Sequence, residues 1–230
     1  MGDFIRTLLN TFAAWFNRKP GHVADAPVLQ ETVEMPGLTL KIYRDLLTLN
    51  KYSRPGRKRK GILAVEVHWV ANPMTSAKAN RAWFEGRKGG KHSFGSTQYI
   101  VDLDGDVVLM IPEDEIAYSS GAKRYRDGII AKYGNPPYYN TLSIECTHRD
   151  WKGKMTQETY NSLVNLCAYL LKKHGLTARN LELHFDITGK LCHRWFVDNP
   201  NEWGNFRDKV DELIGKFESI TKDEVISTEY

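Results

Sequence analysis

Residues 156 to 175, TQETYNSLVNLCAYLLKKHG, followed closely by LELHF, constrain the fold more than any other stretch. Thr156 is placed as an N-cap, Leu163, Leu166, Leu170 and Leu171 recur at helical spacing, and Gly175 is a stop signal. The segment predicts a long helix with one face to bury. The strand that leaves it supplies a sheet to cover. GILAVEVHWV (61 to 70) alternates, predicting a strand with Val65, Val67 and Trp69 on one face and Ala64, Glu66 and His68 on the other. SAKANRAWFEG (76 to 86) predicts a short helix opened by Ser76 and closed at Gly86. STQYIVDLDGDVVLMIP (96 to 112) holds two strand-like runs around Asp104-Gly105, a hairpin signal. TLSIECTH (141 to 148) predicts a further strand, and NEWGNFRDKVDELIGKF (201 to 217) a closing helix. This order describes an α/β (α+β) domain, a central mixed β-sheet flanked by helices.

A chain of 230 residues, 41% hydrophobic, can bury one good core with extensions. The expected organisation is an amphipathic helix over 1–19, a linker over 20–36, the main domain over 37–217 and a polar tail over 218–230. The first helix carries Phe4, Ile5, Leu8, Leu9, Phe12, Trp15 and Phe16 on one face. Its polar face is poor in Lys and Arg, which favours packing on the domain or self-association with a second copy over a membrane surface. The 32 basic and 28 acidic residues leave a net charge of +4, too small to demand nucleic acid. RPGRKRK (54 to 60) reads as a solvated basic loop. Three cysteines make no disulfide framework, so reduced thiols are expected. No apolar run is long enough to cross a bilayer, and the first residues lack a signal-peptide pattern, so synthesis in the cytoplasm is expected.

The stretch LHFDITGKLCHRW (183 to 195) places His184, Asp186, Lys190, Cys192 and His193 close together. Catalytic zinc takes three ligands from His, Cys, Asp or Glu and keeps a fourth position for water. His68 and His184, each at the end of a predicted strand, can meet at one rim of a sheet, and Cys192 can return through the loop at Gly189 as the third ligand. His193 and Asp186 compete with Cys192 for that place. Hydrolysis at such a centre also needs a proton acceptor and a cation for a developing oxyanion. Glu145, a carboxylate in the otherwise apolar run before it in SIECT, and Lys190, two residues before Cys192, are the candidates.

With these residues collected, the chain resembles the zinc-dependent N-acetylmuramoyl-L-alanine amidases of the T7 lysozyme and peptidoglycan-recognition-protein superfamily (Amidase_2). The motifs that carry the resemblance run in order from about Tyr52 to Val210: the strand and helix around His68, the hairpin GSTQYIVDLDGDVVLMIP, the strand NTLSIECTH and the loop LHFDITGKLC. The resemblance implies the fold of that superfamily and His68, His184 and Cys192 as zinc ligands. It also implies Glu145 as the acidic catalytic residue and Lys190 near the scissile carbonyl. The implied substrate is peptidoglycan, cut by zinc-activated water between N-acetylmuramic acid and L-alanine, with release to the wall by a phage holin or by lysis. The alternative is a module of the same fold that binds muropeptide without cutting it; the presence of Cys192 favours the enzyme. Three departures stand out. Gln98 and Ser119 replace histidines common in the family, and His193 replaces the proline after the cysteine.

Overall fold

The structure, a computed structural model, describes residues 6–10, 28–35 and 38–227, with side chains for 28–35 and 38–217. Strands β1 (Arg6–Asn10), β2 (Leu29–Met35) and β3 (Leu38–Arg44) come first, each antiparallel to the next. They are followed by β4 (Ala64–Trp69), helix α1 (Ala77–Gly86), the hairpin of β5 (Tyr99–Val101) and β6 (Val107–Leu109), helix α2 (Ile129–Tyr133) and β7 (Thr141–Cys146). Helix α3 (Gln157–Lys173), β8 (Leu181–Leu183), α4 (His184–Thr188), α5 (Arg194–Asp198) and α6 (Pro200–Ser227) complete the chain. The strands form one eight-stranded sheet in the order β1-β2-β3-β6-β5-β7-β4-β8. Pairing is parallel at β3/β6, β5/β7, β7/β4 and β4/β8 and antiparallel elsewhere, which is the mixed sheet expected.

Alternation in β4 and β7 divides the sheet into an apolar and a polar face. Val65 and Val67 of β4 join Leu142, Ile144 and Cys146 of β7 in the main core, against Leu163, Leu166, Cys167 and Leu170 of α3 and Phe206 and Val210 of α6. The helix expected over 156–175 is the one that covers this face. Thr156 caps it by accepting a hydrogen bond from the Thr159 backbone N–H at 2.9 Å, and Gly175 follows it with a φ of 66°. Leu166 is fully buried there, so Leu166→Ala is expected to destabilise the fold by about 2–5 kcal/mol in a denaturant titration. On the opposite face, parallel register sets Glu66 beside Ser143 and His68 beside Glu145. That polar face positions the candidate site.

Several expectations require correction. Within the helix expected over 1–19, Arg6–Asn10 form strand β1 along the edge of β2; the rest of that stretch lies outside the described residues. An open strand edge offers unpaired backbone groups, and pairing satisfies them whatever the local periodicity. The linker expected over 20–36 contains β2, which pairs with β3 over its whole length, from Leu29 opposite Arg44 to Met35 opposite Leu38. The tail expected over 218–230 is helical up to Ser227, because neither Gly nor Pro interrupts the continuation of α6 there. The basic run 54–60 is not simply solvated. Arg54 makes a two-pronged ion pair with Glu115, at 2.9 Å on each arm, and Arg59 donates to the carbonyls of Thr141 at 2.6 Å and Glu115 at 2.9 Å. No helix among the described residues is long and apolar enough to cross a membrane.

Candidate metal centre

His68 is carried near the C-terminal end of β4, whereas His184, expected at a strand end, opens the short helix α4 directly after β8. The Asp186 carboxylate accepts a hydrogen bond from the Leu183 backbone N–H at 2.9 Å and thereby caps α4. Gly189, at a φ of 82°, turns the chain back. The Phe185 N–H then donates to the Cys192 carbonyl at 2.8 Å, which returns Cys192 to the neighbourhood of His184.

All three side chains are buried, and among the described residues His68, His184 and Cys192 form a group whose ligand atoms lie within 4.8 Å of one another. Cys192 Sγ is 3.6 Å from His68 Nδ1, and the two imidazole rings sit 4.8 Å apart at an interplanar angle of 59°. Tetrahedral zinc, with Zn–N near ~2.0 Å and Zn–S near ~2.3 Å, separates a nitrogen and a sulfur ligand by about 3.6 Å. The donor set and this spacing fit zinc. Neither Asp186, which caps α4, nor the fully buried His193, whose ring packs 4.9 Å from Phe196, belongs to this group among the described residues.

The electrostatics suit ligation. Burial, with the charges of His68 and Lys190, lowers the His184 pKa to about 2, which leaves a neutral imidazole. For His68 burial acts downward, yet the charge and hydrogen bond of Cys192, the hydrogen bond to Glu66 and the charge of Glu145 outweigh it and raise the pKa. A divalent cation held by His68 and Cys192 would take the place of a proton at that pair.

Glu145 lies beside His68 in the sheet, and its Oε2 is buried with no hydrogen-bond partner among the described residues. Burial pushes its pKa up to about 7, against the downward pull of His68 and Lys190. Lys190 stands exposed on the loop, and its charge acts on both Glu145 and His184. All five predicted site residues therefore gather around one region.

Two residues of this region carry no role in the sequence reading. Glu66, fully buried, brings Oε2 to 3.2 Å from His68 Nε2, and the Ser120 hydroxyl donates to the same oxygen. Alternation in AVEVHW already sets Glu66 on the His68 face; Ser120 lies far away in sequence and leaves no such signal. The departures at Gln98 and Ser119 have different structural consequences. Gln98 is buried in a closed network, accepting from the Ser143 hydroxyl at 2.8 Å and N–H at 3.0 Å and donating to the Glu115 carbonyl at 3.1 Å. The Ser119 hydroxyl is buried with no hydrogen-bond partner among the described residues.

The family model for N-acetylmuramoyl-L-alanine amidase (Amidase_2) matches residues 58–204, a span that contains all five site residues. The N-acetylmuramoyl-L-alanine amidase CwlL of Bacillus licheniformis is 32% identical over 180 residues, which cover 76% of this chain and 48% of that protein. BlyA of Bacillus subtilis (strain 168), also an N-acetylmuramoyl-L-alanine amidase, is 29% identical over 189 residues, covering 76% of this chain and 48% of that protein. The chain thus spans about half the length of these curated relatives. Among solved structures, the catalytic domain of XlyA aligns with a TM-score of 0.57 at 21% identity, over 74% of this chain and 98% of that one. PlyL aligns with a TM-score of 0.58 at 21% identity, over 73% and 95%. At these identities the structures establish the fold, while the family match runs through every residue of the candidate centre. On that match, the chain belongs to the N-acetylmuramoyl-L-alanine amidase family.

Proposed function

We propose that this chain is a zinc-dependent hydrolase of peptidoglycan that cleaves the amide between N-acetylmuramic acid and L-alanine. The observation that carries the reading is the juxtaposition of two buried imidazoles and a thiol, ligand atoms within 4.8 Å, with a carboxyl group on the adjacent strand. His68, His184 and Cys192 would hold the ion. When bound, zinc supplies the Lewis acidity that amide hydrolysis requires.

The remaining chemistry falls to this chain's own groups. Glu145, with its carboxyl poised near 7, is matched to receive a proton from the attacking water and to return it to the leaving nitrogen at Oε2. The Lys190 ammonium, whose charge acts on Glu145 and His184, would stabilise negative charge on the carbonyl oxygen. Such a substrate sets the site of action at the cell wall.

Digestion of purified peptidoglycan tests the reading. New N-terminal L-alanine should appear while the glycan strands stay intact. Sedimentation with the wall without new amino termini would instead identify a muropeptide-binding module.

A further inference from the structure

We propose that Glu66 and Ser120 form a positioning pair for the metal centre, in which the Glu66 carboxyl fixes the His68 ring and the Ser120 hydroxyl fixes the carboxyl. The inference rests on the zinc reading above and concerns residues outside the ligand set.

The two nitrogens of His68 face different neighbours. Nδ1 lies 3.6 Å from Cys192 Sγ, on the ligand side, and Nε2 lies 3.2 Å from Glu66 Oε2. A hydrogen bond at Nε2 keeps the proton there and leaves the Nδ1 lone pair for a metal. Strand geometry sets this up directly, because residues two apart on β4 share a face. A fully buried carboxyl group is costly unless its hydrogen bonds are made. Those that Glu66 makes run through Oε2, while its Oε1 has no hydrogen-bond partner among the described residues. The group is therefore committed to the side where His68 and Ser120 lie.

Ser120 supplies an independent observation. Its φ is 53°, in the left-handed region that favours glycine, and the residue is buried. Local backbone energetics would prefer glycine here. What serine contributes is a hydroxyl, and that hydroxyl donates to Glu66 Oε2.

The test is zinc affinity, measured by competition with a chromophoric chelator on the full chain, for wild type, E66L, E66Q and S120G. E66L should weaken zinc binding by about 10–100-fold. E66Q should weaken it less, since an amide oxygen still accepts from His68 Nε2–H. S120G should lower affinity severalfold while the chain still folds, because glycine's relief of the left-handed backbone offsets part of the lost hydrogen bond to Glu66. In the cobalt-substituted protein, the ligand-field bands of E66L should shift from those of wild type. Wild-type affinity in folded E66L and S120G would overturn the positioning role alone, and S120G by itself decides if E66L does not fold. A wild-type chain that takes up no zinc would overturn the metal centre and this inference together.

Discussion

Cys192→Ser is expected to reduce bound zinc from about one ion per chain to a small fraction of that, with hydrolysis lost in proportion. The sulfur sits 3.6 Å from His68 Nδ1, the separation tetrahedral zinc imposes. A serine hydroxyl at the same place stays protonated at neutral pH and is a poor zinc ligand, whereas a thiolate is a strong one. Among the described residues, neither rival belongs to the group whose ligand atoms lie together. The Asp186 carboxylate is held by the Leu183 N–H, and the His193 ring is enclosed against Phe196 and Trp69, with centroids at 4.9 and 6.5 Å. The backbone of the loop should survive, since the bond from Phe185 N–H to the residue 192 carbonyl does not involve the side chain. Elemental analysis of the purified variant checks the outcome. Full zinc occupancy in Cys192→Ser would transfer the third-ligand role elsewhere.

The elements that build the site were legible because each pairs a periodic pattern with a local stop or cap. Thr156 and Gly175 bracket α3, Ser76 opens α1 by accepting from the Ala79 N–H at 3.2 Å, and Asp104-Gly105 joins β5 to β6. The alternation that sorted Val65 from His68 in sequence is the one that divides the sheet into an apolar core face and the polar face that carries the site. What escaped the sequence depends on pairing across distance. Strand β3 alternates cleanly, with Leu38, Leu40 and Ile42 buried and Thr39 and Lys41 exposed, but its partner β2 has a weaker pattern, and Pro36-Gly37 between them resembles a domain boundary. A hairpin is recognised only when both runs are seen together. In the same way, sequence spacing brought His184 and Cys192 together and left Asp186 and His193 as rivals. The cap on α4 and the packing of the His193 ring, both tertiary facts, separate them. Ser120 shows the limit most clearly: its hydroxyl meets a carboxyl 54 residues earlier in the chain, and no local rule connects the two.

Glu145→Gln is expected to keep zinc and fold while losing about a hundredfold or more in turnover, the contribution typical of a positioned acid-base group. Lys190→Ala should also retain zinc, and its rate should fall on a similar scale if the ammonium stabilises the oxyanion. Near-normal turnover in either variant, measured on soluble muropeptide, would return that residue to a structural role. The Glu145 variant has a second signature that catalysis does not enter. In the metal-free protein, burial raises the Glu145 pKa from the usual 4.5 to about 7. Between those values the folded chain holds a proton that the unfolded chain has released, so stability falls as pH rises through that window. Glutamine cannot ionise and removes this dependence. The stability of Glu145→Gln relative to wild type should therefore increase from pH ~4.5 to pH ~7 by on the order of 2 kcal/mol, allowing for partial exposure of the side chain. Denaturant titrations of both metal-free proteins across that range read the difference directly. Parallel curves at every pH would mean that Glu145 titrates like an ordinary surface carboxylate, which would remove the basis for a carboxyl poised near neutrality beside His68.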